Sequence, residues 1–183
     1  MVLVPSSMVA LQTAAPDFAL PDTEGRTVRR ADFAGKPLLV IFLCNHCPYV
    51  KHIANDLAML TQKWSEKGIA VVGINANDAE AYPDDSPAAM KTEVKKRGYE
   101  FPYLFDATQT VARAYNAQCT PDFFLYDAAH KLVYRGQMDD SRPGNGKHVT
   151  GADLTAAIDA LLVGKPTLAA QKPSMGCNIK WRT

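Results

Sequence analysis

The stretch Leu38-Leu39-Val40-Ile41-Phe42-Leu43-Cys44-Asn45-His46-Cys47-Pro48 joins a continuous apolar run of strand length to two cysteines with two residues between them. A run without polar alternation suits a strand buried on both faces. Beyond Pro48, the apolar residues Val50, Ile53, Leu57, Leu60 and Trp64 recur three and four apart, which predicts an amphipathic helix ending near Gly68. Cys44 and Cys47 therefore fall where a buried strand gives way to a helix. The unpaired N–H groups and positive dipole end of a helix start favour a thiolate, and only the thiolate attacks. On this reading Cys44 is the attacking thiol and Cys47 its resolving partner. His46, between them, tunes the thiol pKa or acts as the local acid/base. The competing readings are two structural core cysteines and a solvated histidine at a helix start.

Working outward, Asp17-Phe18-Ala19-Leu20 and Arg26-Thr27-Val28 flank a turn-rich segment and predict a short hairpin or pair of edge strands. Ile69 to Ile74 reads as a second buried strand. Ser86 and Pro87 suit the N-cap and first position of a helix running to about Arg97-Gly98. A short strand at Pro102 to Phe105 and a short helix at Thr108 to Tyr115 follow. Two strands, Asp122 to Tyr126 and Leu132 to Arg135, come next, and Asp153 opens a last helix with Leu154, Ile158, Leu161 and Leu162 on its apolar face. Residues 1–14 read as a flexible leader, 15–165 as the domain and 166–183 as an extended C-terminal tail. The expected class is α/β, a mixed central sheet with helices on both faces and an N-terminal hairpin extension.

The 183 residues carry 47% hydrophobic and 21% charged side chains, an ordinary composition for one folded domain. A net charge of +1 without a long basic block argues against a nucleic-acid partner. No apolar run approaches the ~20 residues of a membrane-spanning helix. Met1 to Ala15 has no basic leading region and is interrupted by Pro5-Ser6-Ser7, so no secretory signal is expected and the cytoplasm is the expected location. Four cysteines are too few for a disulfide scaffold, and in a reducing compartment a CxxC spacing points to redox chemistry or metal binding. Cys44, Cys47, His46 and His52 lack the spacing of a closed zinc site, so neither a metal nor a tightly held cofactor is expected.

Farther along, Cys119-Thr120-Pro121 stands directly before the strand from Asp122. A CxxC after a buried strand, followed by Thr-Pro ahead of a second strand, resembles the thioredoxin superfamily. The resemblance implies a thioredoxin fold in which Pro121 is cis and faces the CxxC, while Thr120 offers backbone groups to an extended substrate. Ala15-Pro16-Asp17-Phe18, Asp32-Phe33-Ala34-Gly35-Lys36-Pro37 and Phe123-Phe124-Leu125-Tyr126-Asp127 are similar to the redoxin branch. That branch holds the alkyl hydroperoxide reductase/thiol-specific antioxidant proteins and their peroxiredoxin-like relatives. The end, Gly176-Cys177-Asn178-Ile179-Lys180-Trp181, is similar to the resolving-cysteine tail of 2-Cys peroxiredoxins. Cys177 is thus a candidate resolving thiol, in cis or across a homodimer, against an incidental thiol in a tail. Cys119 reads as a small core cysteine.

The departures steer the chemistry. In the peroxiredoxin register Cys47 takes the peroxidatic position, Cys44 replaces the peroxide-orienting Thr, and Val40 replaces a Pro. Pro121 stands where those enzymes hold an Arg, leaving Arg135 and Arg142 as substitutes. Compared with thioredoxins, Leu43 replaces a Trp and the buried Asp of the preceding strand is missing. The leading expectation is a thiol-disulfide oxidoreductase that works on protein or small-molecule disulfides and draws on a thioredoxin-type reductant. A thiol-dependent peroxidase acting on peroxides comes second. A Sco-like copper protein, with His130 or His148 as distal ligand, comes third.

Overall fold

Every side chain of Leu38–Phe42 is buried because alternate residues of this strand face two separate cores. Leu39 and Ile41 join one cluster with Val50, Ile53, Leu57, Trp64, Met90, Leu154 and Ile158. Leu38, Val40 and Phe42 join the other with Phe18, Leu20, Val111, Ala112 and Tyr115. An uninterrupted apolar run is what a strand with no wet face requires.

The computed structural model describes residues 2–182. The elements are β1 (Leu3–Pro5), β2 (Ala19–Pro21), β3 (Thr27–Arg29), β4 (Leu38–Phe42), α1 (Pro48–Glu66), β5 (Ala70–Asn75), α2 (Pro87–Arg97), β6 (Tyr103–Phe105), α3 (Thr110–Ala114), β7 (Cys119–Thr120), β8 (Asp122–Tyr126), β9 (Leu132–Gly136), α4 (Ala152–Leu162) and β10 (Met175–Asn178). The central sheet has the order β6-β5-β4-β8-β9. β5 runs parallel to β4 and β6 parallel to β5, whereas β8 is antiparallel to both β4 and β9. The sheet is mixed, with α1, α2 and α4 contributing to the core on one face and α3 with the N-terminal segment to the other. This is the thioredoxin fold that the strand–CxxC–helix reading implies. The hairpin β2–β3 stands on the N-terminal side.

Local signals place the helices. Pro48 occupies the first turn of α1, where its missing N–H costs nothing. The Ser86 hydroxyl accepts from the Ala89 N–H at 3.4 Å to cap α2, and Gly98 closes that helix in the left-handed conformation.

Strands form in both segments that the sequence predicts as a flexible leader and an extended tail. Residues 3–5 and 175–178 pair antiparallel, and the second of these strands also pairs with β7, giving a small sheet of order β1-β10-β7. Neither segment carries a periodic pattern of its own, because both are held by backbone pairing with distant residues rather than by an amphipathic face. Positions 1 and 183, the extremes of the expected leader and tail, lie outside the described residues.

Candidate active site

The carboxyl end of β4 and the start of α1 meet at Cys44-Asn45-His46-Cys47, and the loop into β8 closes over them. In an open α/β sheet the chemistry gathers beyond the carboxyl ends of the strands. Cys47 is the N-cap of α1. Its Sγ lies 2.6 Å from Cys177 Sγ and 3.3 Å from the Thr120 carbonyl oxygen. Cys44 Sγ is 3.1 Å from Thr120 Oγ1. The Thr120–Pro121 peptide bond is cis. Three thiols and the Thr-Pro corner thus share one buried pocket.

The two CxxC sulfurs titrate in opposite directions. A hydrogen bond from the Cys44 thiol lowers Cys47 most; burial works against it; the Cys177 thiol and the N–H groups of Val50 and Cys177 add to the lowering, and Cys47 settles at about 5. Of these, the Val50 N–H is what the start of α1 supplies to a sulfur at its cap. Cys44, which donates to Cys47, is pushed well up by that bond, by burial and by the Asp85 charge. Burial and the hydrogen bond to Cys47 raise Cys177 to about 12. The ionised sulfur is therefore Cys47, whereas the sequence assigns the attack to Cys44. The hydrogen bond between the two thiols is the largest cause of both shifts, and Cys47 is the one that caps the helix beginning at Pro48.

His46 Nδ1 is 2.5 Å from Asp85 Oδ2, and its ring stacks on Tyr82 with centroids 5.2 Å apart. Asp85 is fully buried. It also accepts from the Asn45 backbone N–H at 2.6 Å and from Asn77 Nδ2 at 2.8 Å. Burial favours the neutral acid, but the hydrogen bonds from His46, Asn77 and Asn45 outweigh it and hold the carboxyl below its ordinary range. Asn45 is further fixed by the Tyr103 hydroxyl at 3.2 Å. His46 Nε2 is buried and, among the described residues, has no hydrogen-bond partner.

Asp85 is the residue that sequence reasoning missed. It stands in Tyr82-Pro83-Asp84-Asp85-Ser86-Pro87, where the Ser-Pro helix start drew the attention. A signal was present: Asn75 and Asn77 are polar residues at the carboxyl end of a buried strand next to β4, and Asp85 is their partner. Among the described residues, Cys44, His46 and Asp85 offer ligand atoms within 4.8 Å of one another, the grouping there that could hold a metal ion. Asp85 already receives four hydrogen bonds, two from the CxxC loop and two from Asn75 and Asn77, so this carboxylate is engaged in shaping the site.

Other expected residues lie elsewhere or are otherwise engaged. His52 bonds Ser141 Oγ at 2.7 Å, and His130 faces Arg30 at 2.9 Å. Arg135 is held by the Val9 carbonyl and Gln171, and Arg142 by the 137–141 loop. Cys119 is buried, and burial raises its thiol. The backbone edge of Thr120, expected to receive an extended substrate, is taken by β10, with Cys177 opposite Thr120. Tertiary pairing of the tail fills a place that the sequence leaves open.

A thioredoxin-fold redoxin with paired cysteines at a helix start is the class this geometry defines. Residues 11–135 match the AhpC/TSA family, and the chain belongs to it. An uncharacterized conserved protein from Geobacillus kaustophilus is similar over 100% of this chain and 97% of its own, with 51% identity and a TM-score of 0.97. The thiol-disulfide oxidoreductase ResA of Bacillus thuringiensis (strain Al Hakam) is 28% identical over 119 residues, which is 65% of this chain and 65% of that protein. The match thus spans just under two thirds of that curated relative. A thiol:disulfide interchange protein, thioredoxin family protein, from Chlorobium tepidum TLS shares the fold at a TM-score of 0.65 and 21% identity, over 84% of this chain and 98% of that one.

Proposed function

We propose that the chain is a thiol-disulfide oxidoreductase that cycles Cys44 and Cys47 between dithiol and disulfide. The observation that carries this reading is Cys47 at the N-cap of α1, its thiol lowered to about 5 with the Cys44 thiol hydrogen-bonded to it. The Cys47 thiolate attacks one sulfur of a substrate disulfide, the substrate S–S bond breaks, and a mixed disulfide forms with loss of a substrate thiolate. Cys44 then gives up its proton and attacks the Cys47 sulfur. That closes the Cys44–Cys47 disulfide and frees the second substrate thiol. His46, held through Nδ1 by Asp85 and with a ring nitrogen within 4.8 Å of Cys44 Sγ, is the local acid/base for the Cys44 proton. The ResA match, in a relative named for this activity, supports the reading.

Substrates are disulfides of proteins or small molecules, and a thioredoxin-type reductant resets the pair. Cys44 and Cys47 are both buried, so a substrate reaches them when the cover of the site moves. A cleft lined by Tyr49, Pro121, Ser141, Arg142 and Met175 borders the first turn of α1 and offers the approach. A cytoplasmic setting is part of this proposal and is tested by cell fractionation.

The test is reduction of insulin by the full chain with dithiothreitol as electron donor. Cys47→Ser abolishes it, and Cys44→Ser, which loses the partner thiol of the CxxC pair, lowers it sharply. Undiminished reduction by either variant sinks the proposal.

A peroxidase is the second reading, favoured by one observation: Cys47, at the peroxidatic register, is the low-pKa sulfur and has Cys177 beside it. Fast peroxide cleavage also needs donors for the developing charge on oxygen. Arg135 and Arg142, the two candidates, spend their guanidiniums on structural carbonyls and amides. Stopped-flow mixing with hydrogen peroxide decides, and a rate no higher than that of a free thiol of equal pKa removes this reading.

A further inference from the structure

Cys177 has a position that a resolving thiol in a loose tail would not have. It lies in a strand between two others, 2% exposed, with its sulfur 2.6 Å from Cys47 Sγ. Two features hold that strand against the site. Gly176 sits so close to β7 that a Cβ there would collide with the Thr120 carbonyl, so the residue before Cys177 has to be glycine for the strands to meet. Beyond β10, the Lys180 N–H donates to Asn77 Oδ1 at 2.8 Å, and Asn77 in turn holds Asp85. The tail is thus tied into the same hydrogen-bond network that orients His46. Cys47 has a thiol on each side, Cys44 preceding it in the chain and Cys177 from the tail, and both hydrogen-bond to it.

We propose that Cys177 is a third redox-active thiol, which exchanges with the Cys44–Cys47 disulfide to form a second disulfide, Cys47–Cys177. The inference rests on the reading of Cys44 and Cys47 as the redox pair. The step is an isomerisation without net electron transfer. The Cys177 thiolate attacks the Cys47 sulfur, the Cys47–Cys177 bond forms, the Cys44–Cys47 bond breaks, and Cys44 leaves as a thiolate that takes the proton lost by Cys177. The oxidising equivalents come from the substrate disulfide that first oxidised the pair. The exchange moves the disulfide from the CxxC loop to the tail strand and returns Cys44 to the reduced state with the disulfide still in the protein. It also makes β10 a resident occupant of the Thr120 edge, covalently fastened in the oxidised protein and held by hydrogen bonds alone in the reduced one.

The experiment is disulfide mapping of the full chain. Reduced protein is oxidised with one equivalent of oxidised glutathione, quenched in acid, alkylated, digested and read by mass spectrometry. The wild type yields both Cys44–Cys47 and Cys47–Cys177, Cys44→Ser closes Cys47–Cys177, and Cys177→Ser closes Cys44–Cys47. In Gly176→Ala, which keeps all three thiols but crowds β10 away from Thr120, the Cys47–Cys177 product falls while Cys44–Cys47 persists. A wild type that contains Cys44–Cys47 alone, together with a Cys44→Ser variant that stays glutathionylated at Cys47, overturns the inference and leaves the oxidoreductase reading intact. A Cys177→Ser variant that cannot form Cys44–Cys47 overturns the oxidoreductase reading itself, whatever Cys177 does.

Discussion

Asp85 and Asp122 are the same residue type, both completely buried, and both near the thiols' end of the sheet, yet their carboxyls are shifted in opposite directions. Asp85 is surrounded by donors: the His46 ring, the Asn45 N–H and the Asn75 and Asn77 amides. Asp122 opens β8 against Phe42, and neither of its oxygens has a hydrogen-bond partner among the described residues. Burial therefore drives the Asp122 carboxyl well up, and the N–H groups of Gln118 and Phe123 offset only part of that. Burial alone does not set the charge of a carboxyl; the number of donors aimed at it does. Around the CxxC pair this leaves one carboxyl held down by its donors, which orients His46 and opposes a thiolate at Cys44, and one pushed up by burial with no hydrogen-bond partner among the described residues.

Removing the donors' target should produce the largest effect. Asp85→Ala leaves His46, Asn77 and the Asn45 N–H without their acceptor, and breaking a buried pair on one side costs ~3–5 kcal/mol. Urea denaturation is expected to show a loss of that order; a loss within the range of a surface substitution would mean that Asp85 is not the organising anion. The next effect is a matter of pH. Asp85 has a folded pKa below its ordinary 3.8, so its contribution is present above that value and is lost as pH falls through the folded pKa. Asp122 has a folded pKa above 3.8, so its contribution is complete below that value and is lost as pH rises through the folded pKa.

Chemical denaturation of Asp122→Asn across the pH range is expected to lie close to wild type in acid and to gain on it as pH rises, since the amide cannot ionise. Parallel curves would show that Asp122 does not titrate in the folded state. Asp85→Asn should flatten the acid limb instead. The smallest effect sharpens the comparison by supplying a neighbour without charge. Ser86→Ala removes the α2 cap next to Asp85 and should cost about 1 kcal/mol, independent of pH. A pH-dependent loss there would assign part of the Asp85 effect to helix capping.

These residues also show how much was readable beforehand. The strand at Leu38, the helix from Pro48, the α2 boundaries at Ser86 and Gly98 and the meeting of strand, CxxC and helix are local facts, carried by periodicity, caps and apolar runs. Asp85 was not readable as a site residue, because its role depends on four donors from two other segments. Nor was the place of Cys177. A four-residue strand with half-buried ends and no periodic face owes its existence to pairing with residues 3–5 and 119–120, which no pattern in the tail announces.

Composition and pattern alone were enough to determine a mixed α/β sheet with two cysteines at a helix mouth, since burial on both faces and helix capping are demands that neighbouring residues meet by themselves. Which sulfur carries the charge, which carboxylate stays ionised and which distant strand closes over the pair were decided only by the folded chain. Each of these depends on donors and backbone edges brought together across roughly the whole length of the sequence, and electrostatic stabilisation in a dry site acts over a few ångströms of space rather than along the chain.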